Sequence, residues 1–202
     1  MNESDAISRL KQGDIAGLDS LMLAHQVEAI RTAFLVIHDR TLAEDIVQDA
    51  FLRVYERIRQ FDGTRPFRPW LMRIVVNDAV KVATRRRRDL SLDYRPAPDG
   101  DPLADLLEDG RPGPADVAEQ EELNRMVASA LERLTPQQRA VVVLRYYLGL
   151  TDAEAAQDLR VARGTVKRRL HEAKNRLRVL LGGKERHAVD SGSVGSGKEG
   201  GA

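Results

Sequence analysis

Three short segments of the sequence carry the residue pattern that starts an α-helix. Thr41–Glu44, Thr135–Gln138 and Thr151–Glu154 each place a Thr three residues before a Glu or Gln. In this pattern the two side chains can cap each other's backbone N–H groups. Pro136 stands at the first helical position of the second segment, where a missing N–H costs nothing. Strand patterns are nearly absent from the sequence. The chain is therefore predicted to be all-α.

Apolar residues recur at helical spacing in two places, which predicts one buried face on each helix. The first stripe follows the first capping pattern and comprises Ile46, Val47, Ala50, Phe51, Val54 and Ile58. The second comprises Val166, Leu170, Ala173 and Leu177.

The composition changes abruptly between Asp99 and Glu122, where nine acids accompany one Arg, three prolines and three glycines. Such a segment buries too little apolar surface to offset its ordering entropy, so we expect a flexible acidic linker. The tail is rich in Gly and Ser, and we expect it to be disordered. The predicted organisation is an N-terminal helical domain (1–94), a linker (95–116), a C-terminal helical domain (117–182) and a tail (183–202).

Overall composition limits the compartment and the partners. The 32 basic and 31 acidic residues give a net charge of only +1, so any nucleic-acid-binding field must come from local charge segregation. The absence of Cys suits a reducing cytoplasm. No uninterrupted apolar run approaches the roughly 20 residues of a membrane span, and the N-terminus lacks a signal-peptide pattern. We expect a cytoplasmic protein that does not enter a membrane.

No pattern in the sequence indicates catalysis. The histidines His25, His38, His171 and His187 are scattered without metal-ligand spacing, and no P-loop, Rossmann or nucleophile-elbow motif is present. We expect no enzyme activity, no metal and no cofactor. His38 lies near a predicted helix end, where a capping role is the simplest interpretation.

Thr151 to Leu181 has the proportions of a helix-turn-helix, with a short helix at 152–159 and a longer basic helix after a turn. Between Thr165 and Leu181 stand six Lys and Arg and a single acid. Such a run is often only a solvated helix face. In a helix-turn-helix, however, the start of the second helix enters the major groove, and Lys167, Arg168 and His171 point away from the apolar stripe.

The segment LTPQQRAVVVLRYYLGLTDAEAAQDLRVARGTVKRRLHEAKNRLRVLL resembles the C-terminal domain of extracytoplasmic-function sigma factors, which recognises the promoter −35 element. Arg160 stands where the family usually has Gly, and a left-handed backbone there would cost about 1 kcal/mol. Glu172 stands where a basic residue is common. It either accepts from cytosine or pairs with Arg168 or Arg176. The resemblance implies −35 contacts from Arg163, Thr165, Lys167, Arg168 and His171.

The segment AEDIVQDAFLRVYERIRQFDGTRPFRPWLMRIVVNDAVKVATRRRR resembles the sigma-factor domain that docks on polymerase and opens the −10 element. Asp45, Gln48, Asp49 and Leu52 follow one another at i, i+3, i+4 and i+7, opposite the apolar stripe. This mixed face is either a plain solvated surface or a partner-binding surface with a polar rim. The resemblance implies that it grips the polymerase clamp helices.

The loop Phe61–Phe67 carries two aromatic residues and an Arg between two predicted helices. It is either an ordinary turn with both Phe rings in the core or a site that holds an extruded base. The resemblance implies the second. Trp70 fits the core better than a stacking wedge. Asn77 is a candidate base reader, and Arg85–Arg88 are candidate phosphate contacts. The candidate −10 residues are Phe61, Asp62, Gly63, Thr64, Arg65, Arg73, Asn77, Lys81 and Arg85.

The leading hypothesis is an alternative sigma factor that directs RNA polymerase to a restricted set of promoters. Its expected partners are core RNA polymerase and promoter DNA, and an anti-sigma factor is a candidate partner. One alternative is a free-standing helix-turn-helix regulator, although the sequence shows no ligand or receiver domain. Another is a helical adaptor for an acidic protein, which leaves two correctly ordered sigma-like segments unexplained.

Overall fold

The structure is a computed structural model that describes residues 2–89, 123 and 125–190, with side chains up to residue 88 in the first range and up to residue 181 in the last. These residues form helices joined by short turns and contain no β-strand, so the all-α prediction is confirmed. The N-terminal half contains α1 (Glu3–Lys11), α2 (Ala16–Ile37), α3 (Arg40–Arg57), a 3₁₀ turn (Ile58–Gln60) and α4 (Phe67–Asp89). The C-terminal half contains α5 (125–132), α6 (Pro136–Val142) with a π-helical continuation (Val143–Tyr147), α7 (Asp152–Leu159) and α8 (Arg163–Asp190).

Two of the three predicted capping boxes are present. Thr135 Oγ1 accepts from the N–H of Gln138 over 3.2 Å, and the Gln138 side chain accepts from the N–H of Thr135 over 3.0 Å. Thr151 and Glu154 make the same reciprocal pair over 3.2 and 2.7 Å. Both helices therefore begin where the sequence predicts.

The capping box predicted at Thr41 is wrong, because α3 begins at Arg40, two residues before the start that a Thr41 cap implies. Its cap is Asp39, whose Oδ1 accepts from the N–H of Leu42 over 3.0 Å. Asp is at least as strong an N-cap as Thr. The helix therefore starts after Asp39, the earlier of the two capping residues in the chain.

The N-terminal half packs α1, α3 and α4 around the long helix α2. All six residues of the first predicted apolar stripe are buried, five on α3 and Ile58 in the 3₁₀ turn that follows it. Phe51, Phe67 and Leu71 are among the most deeply buried side chains of the core. Helix α1 crosses α2 at Gly17, where an added Cβ would lie only 2.3 Å from the main-chain oxygen of Ala6. A larger residue there would push α1 off its neighbour.

Helix α2 is long and apolar enough to span a membrane by length and composition alone. No such span was expected from the sequence, and within α2 the charged residues Asp19, Glu28 and Arg31 interrupt the apolar run. Core helices meet the same criterion of length and composition, and α2 packs against α1, α3, α4 and α6. In this fold α2 is the central core helix of the N-terminal half.

The C-terminal half forms the predicted helix-turn-helix. Val166, Leu170 and Ala173 are buried and Leu177 is half-buried, so the second apolar stripe holds α8 against its neighbours. Helix α8 continues to Asp190, past the boundary we placed at residue 182. The residues after Gly183, KERHAV, include no Pro or Gly, so an established helix can propagate through them.

The two halves pack against each other. One continuous apolar core extends from α2, α3 and α4 into α6, α7 and α8. The predicted acidic linker, Asp99–Glu122, lies outside the described residues, as do residues 191–202.

Candidate nucleic-acid interface

Helix α3 presents the predicted mixed face to solvent. Asp45, Gln48 and Asp49 are exposed, and the Leu52 side chain is 60% exposed although it is apolar. Tyr55, which the sequence analysis did not select, is 45% exposed and follows Leu52 by three residues, so it extends the same face. The acids and the two apolar groups form one surface because the core stripe occupies the opposite side of α3.

The loop between the 3₁₀ turn and α4 is organised by Asp62. Its Oδ1 accepts from the N–H of Thr64 over 3.0 Å and from the Thr64 hydroxyl over 2.7 Å. Its main-chain oxygen accepts from the N–H of Arg65 over 3.0 Å. These bonds from Thr64, with help from the charges of Arg65 and Lys11, hold the pKa of Asp62 below its usual value. Residues 62–66 are all exposed, so the loop is a formed tip open to solvent.

The aromatic rings of this region belong to the core. Phe61 and Phe67 are buried and meet edge to face at a centroid distance of 5.7 Å, and Trp70 lies 5.0 Å from Phe61. Sequence left open whether these rings pack in the core or hold an extruded base, and in the structure both Phe rings pack in the core. Phe61 was a candidate −10 contact, but its buried ring cannot be the wall on which a base stacks. Trp70 is half-buried against the same cluster, as expected.

Four candidate −10 residues recur every four residues along α4 and form a polar, mostly basic stripe: Arg73, Asn77, Lys81 and Arg85. Its members differ in their surroundings. Lys81 is exposed and its Nζ lies 3.1 Å from the buried Asp78 carboxylate. Arg53 of α3 also pairs with Asp78. Arg85 is exposed near the end of the helix. The Arg53–Asp78 pair was not predictable from the sequence, because residues 25 positions apart on different helices share no local pattern.

Two members of the stripe donate to the end of α7 in the other half of the chain. Asn77 Nδ2 donates to the main-chain oxygen of Asp158 over 2.8 Å, and Arg73 Nη2 donates to that of Gln157 over 3.3 Å. Arg73 Nε also lies 3.5 Å from the Asp158 carboxylate. The last carbonyls of a helix lack intrahelical donors and carry partial negative charge, so they suit cationic and amide donors. Burial raises the pKa of Asp158, and the Arg73 charge opposes that shift.

A cleft of about 670 Å³ opens beside this contact. Five cations face it, and Asp78 is the acid among its lining residues. Arg160 reaches it from the turn between α7 and α8, which sequence patterns could not predict. The cationic side chains are Arg53, Arg57, Arg73, Lys81 and Arg160.

The first turns of α8 carry the predicted −35 residues. Arg163, Lys167, Arg168 and His171 are exposed and Thr165 is half-buried. Arg168 Nη1 lies 2.9 Å from Glu172 Oε1, so the intrahelical pair left open by the sequence is the one with Arg168. Before α8, Arg160 has φ 52° and ψ 46°, the left-handed conformation in which the family's usual Gly carries no strain.

His38 ends α2 in a left-handed conformation, and its N–H donates to the main-chain oxygen of Phe34 over 2.8 Å. Its expected capping role is confirmed for the backbone. The imidazole is buried, with Nδ1 3.9 Å from Glu132 Oε1 of α5. Burial, together with the charge of Arg139, lowers the pKa of His38 to about 3.

Comparison with known proteins identifies the family. The family models for sigma-70 region 2 and for sigma-70, region 4 match residues 21–89 and 124–177. The ECF RNA polymerase sigma factor SigL of Mycobacterium tuberculosis H37Rv is 32% identical over 177 residues, which cover 87% of this chain and 94% of the relative. The chain belongs to the ECF sigma factors. CnrH of Cupriavidus metallidurans is 33% identical over 187 residues, covering 90% and 97% of the two chains.

Solved structures show the same fold. The structure of CnrH in complex with the cytosolic domain of CnrY has a TM-score of 0.58 at 28% identity, covering 90% of this chain and 97% of CnrH. Bartonella quintana RpoE, solved with the anti-sigma factor NepR, has a TM-score of 0.59 at 24% identity, over 81% and 95% of the two chains.

As an ECF sigma factor, the protein directs RNA polymerase to specific promoters and is a regulatory initiation factor. The presence of both sigma regions in one chain argues against the free-standing regulator and the adaptor.

Proposed function

We propose that this ECF sigma factor divides its work among three surfaces. The α3 face binds core polymerase, the loop 61–66 and α4 recognise the −10 element, and the start of α8 recognises the −35 element. The observation that carries this proposal is that the apolar stripes of α3 and α8 are buried while the candidate residues of both helices face solvent. We assign the first two surfaces to a domain within residues 1–94 and the third to a domain within 117–182.

The α3 face suits a protein partner rather than DNA. Asp45 and Asp49 would repel phosphates, whereas Leu52 and Tyr55 offer exposed apolar area next to them on the same face. A polymerase surface that fits this face would present cations beside an apolar patch.

The experiment that tests this assignment reverses both acids, Asp45→Lys together with Asp49→Lys. We expect loss of copurification with core polymerase and unchanged helix content by circular dichroism. A matched control reverses Asp5 and Asp19, two exposed acids of α1 and α2, and should bind core normally. Normal core binding by the α3 variant would show that polymerase docks elsewhere.

The −10 surface is partly covered in this structure. Arg73 and Asn77 donate to α7, so −10 DNA can reach them only after the end of α7 moves away. We propose that this separation accompanies assembly with polymerase. Asp158 favours it, because its raised pKa means that burying the charged carboxylate is costly.

The −35 surface is open. Lys167 and Arg168 are exposed near the start of α8, where a recognition helix meets base edges, and Arg or Lys can bond guanine O6 and N7. Glu172 holds the Arg168 guanidinium from one side, which limits its directions of approach to DNA.

We further propose that an anti-sigma protein binds this chain and that this sigma factor acts in the cytoplasm. The solved CnrH structure is a complex with the cytosolic domain of CnrY, which supports such a partner here. The test is copurification of a candidate anti-sigma protein with the chain and inhibition of its transcription by that protein.

A further inference from the structure

Lys11, the last residue of α1, reaches the loop 61–66 from another part of the chain. Its Nζ donates to the main-chain oxygen of Phe61 over 2.8 Å, fifty residues further along the sequence. The same ammonium lies 5.8 Å from the centroid of the Phe61 ring, within cation–π range. Lys11 is half-buried, so this contact is partly protected from water.

The helix that carries Lys11 is fixed at both ends. The Asn2 side chain caps its start by accepting from the N–H of Asp5 over 2.8 Å. Ala6 and Leu10 are buried against α2, close to Gly17. Lys11 therefore presents its ammonium from a rigid support, which lowers the entropy cost of holding it in place.

The Phe61 carbonyl lies where the buried core ends and the exposed loop 62–66 begins, so a hydrogen bond to it fixes the direction in which the loop leaves the core. Phe61 follows the 3₁₀ turn directly, and its ring is anchored by Phe67 and Trp70. The exposed tip begins with the next residue, Asp62, whose side chain and main-chain oxygen hold Thr64 and Arg65. The charge of Lys11 also contributes to the lowered pKa of Asp62. Lys11 thus contacts Phe61, the buried residue at the start of the loop, and stabilises the Asp62 carboxylate, which holds Thr64 and Arg65 in place.

We propose that Lys11 is a positioning residue for −10 recognition. By fixing the Phe61 carbonyl, it holds residues 62–66 in one conformation, so that their polar groups meet an unstacked base without further ordering. This inference rests on the proposed function of the loop. Lys11 lies outside residues 21–89, the part matched by sigma-70 region 2, so it adds α1 to the −10 site.

The test uses the full chain assembled with core polymerase. Holoenzymes containing Lys11→Met or Lys11→Arg transcribe a promoter library randomised across the −10 element, and the transcribed templates are sequenced. The Arg9→Met variant is the matched control, because Arg9 lies on the same helix and pairs with Asp14, away from the loop.

Lys11→Met should reduce base discrimination at one −10 position about fivefold, the effect of removing one hydrogen bond. Preferences at the other promoter positions should not change, and the thermal midpoint should fall by no more than about 2–4 °C, the effect of losing one hydrogen bond in a chain of this size. Lys11→Arg should keep the discrimination because it keeps a cationic donor, and Arg9→Met should behave as the parent.

Two loop variants, Thr64→Ala and Arg65→Ala, separate this inference from the function on which it rests. If either flattens a −10 preference while Lys11→Met changes none, the loop recognises DNA and the positioning role of Lys11 is overturned. If all three leave every −10 preference intact, the −10 assignment of the loop fails and the role of Lys11 fails with it. A uniform loss at all positions with a lower thermal midpoint would also overturn it, since that is the effect of a merely structural residue.

Discussion

Asn77 and Asp158 are joined by a hydrogen bond between the two halves of the chain, with Asn77 Nδ2 donating to the main-chain oxygen of Asp158 over 2.8 Å. Asn77 is also the candidate base reader of α4. The C-terminal end of α7 therefore offers α4 what promoter DNA would offer, namely acceptor oxygens and negative charge. On the proposed −10 assignment of Asn77, the closed arrangement and −10 binding compete for its side chain.

Asp158→Arg should loosen the contact between the end of α7 and α4, while the continuous apolar core keeps the two halves packed together. The new cation would face Arg73 and Arg160, and the Arg73–Asp158 pair would be broken. Hydrogen bonds to charged groups contribute about 1.5–3 kcal/mol to folding stability. We expect the Arg73–Asp158 pair to contribute at the lower end of this range, because Arg73 is 40% exposed. Trp70, the single Trp of the chain, lines the cleft, so its emission should shift to the red and acrylamide should quench it more strongly.

The control for this loosening is Asp19→Arg, which makes the same charge change on an exposed part of α2. Acrylamide should quench Trp70 more strongly in Asp158→Arg than in this control. Equal quenching would mean that Asp158 does not hold the end of α7 against α4.

Arg160→Gly should stabilise the protein. Arg160 has φ 52°, a conformation that costs a non-Gly residue about 1 kcal/mol. The reciprocal control is Gly149→Ala, since Gly149 has φ +72° and open space around it, so Ala there should lose stability through backbone strain alone. Thermal unfolding should show a higher midpoint for the first variant and a lower one for the second. A lower midpoint for Arg160→Gly would mean that the contacts of Arg160 in the cleft outweigh its strain.

The buried faces of α3 and α8 were predictable from sequence, because apolar periodicity records which side of a helix meets the core. The start of α3 was not predictable, because Thr41 and Asp39 both suit an N-cap and the local sequence does not decide between them. The loop could be located, but the burial of Phe61 depends on Phe67 and Trp70 together.

Contacts between distant segments were beyond sequence reasoning altogether. Lys11 meets Phe61, and Asn77 meets Asp158, through the way whole helices pack. No local spacing encodes either contact. The candidate surfaces could therefore be named from sequence, whereas the contact that covers one of them could not.

His38 should make stability depend on pH in the acid range. Its pKa falls from 6.5 to about 3 on burial, so the folded chain binds fewer protons than the unfolded chain between these values. Stability therefore rises with pH across this window and is lost on acidification below pH 6.5. At pH 5 the expected loss is about 2 kcal/mol relative to neutral pH.

His38→Asn should remove this contribution, because Asn tolerates the left-handed conformation and does not titrate. The measurement is the change in unfolding free energy between pH 7 and pH 5 in each protein. Asp158, whose raised pKa acts in the opposite direction, is present in both and cancels from the difference. Equal pH dependence in the two proteins would show that His38 is accessible to protons in the folded state.

Base recognition and phosphate binding should separate in their salt dependence. Alanine at Lys167 or Arg168 should cost about 1–3 kcal/mol and relax selectivity at one −35 position, since each lies where a recognition helix meets base edges. Arg85→Ala should instead weaken binding to all promoter sequences. The slope of log K against log salt should then fall by about 0.9, because one phosphate is no longer neutralised.

The measurement is holoenzyme affinity for a promoter and for single-base variants of its −35 element, at several salt concentrations. The ion pair between Arg168 and Glu172 leads to one further prediction. Glu172→Gln frees the Arg168 side chain without removing it, so selectivity at the Arg168 position should fall even though the net charge becomes more favourable to DNA. If the α8 variants change only the salt slope, their side chains contact phosphates and α8 does not recognise the −35 sequence through them.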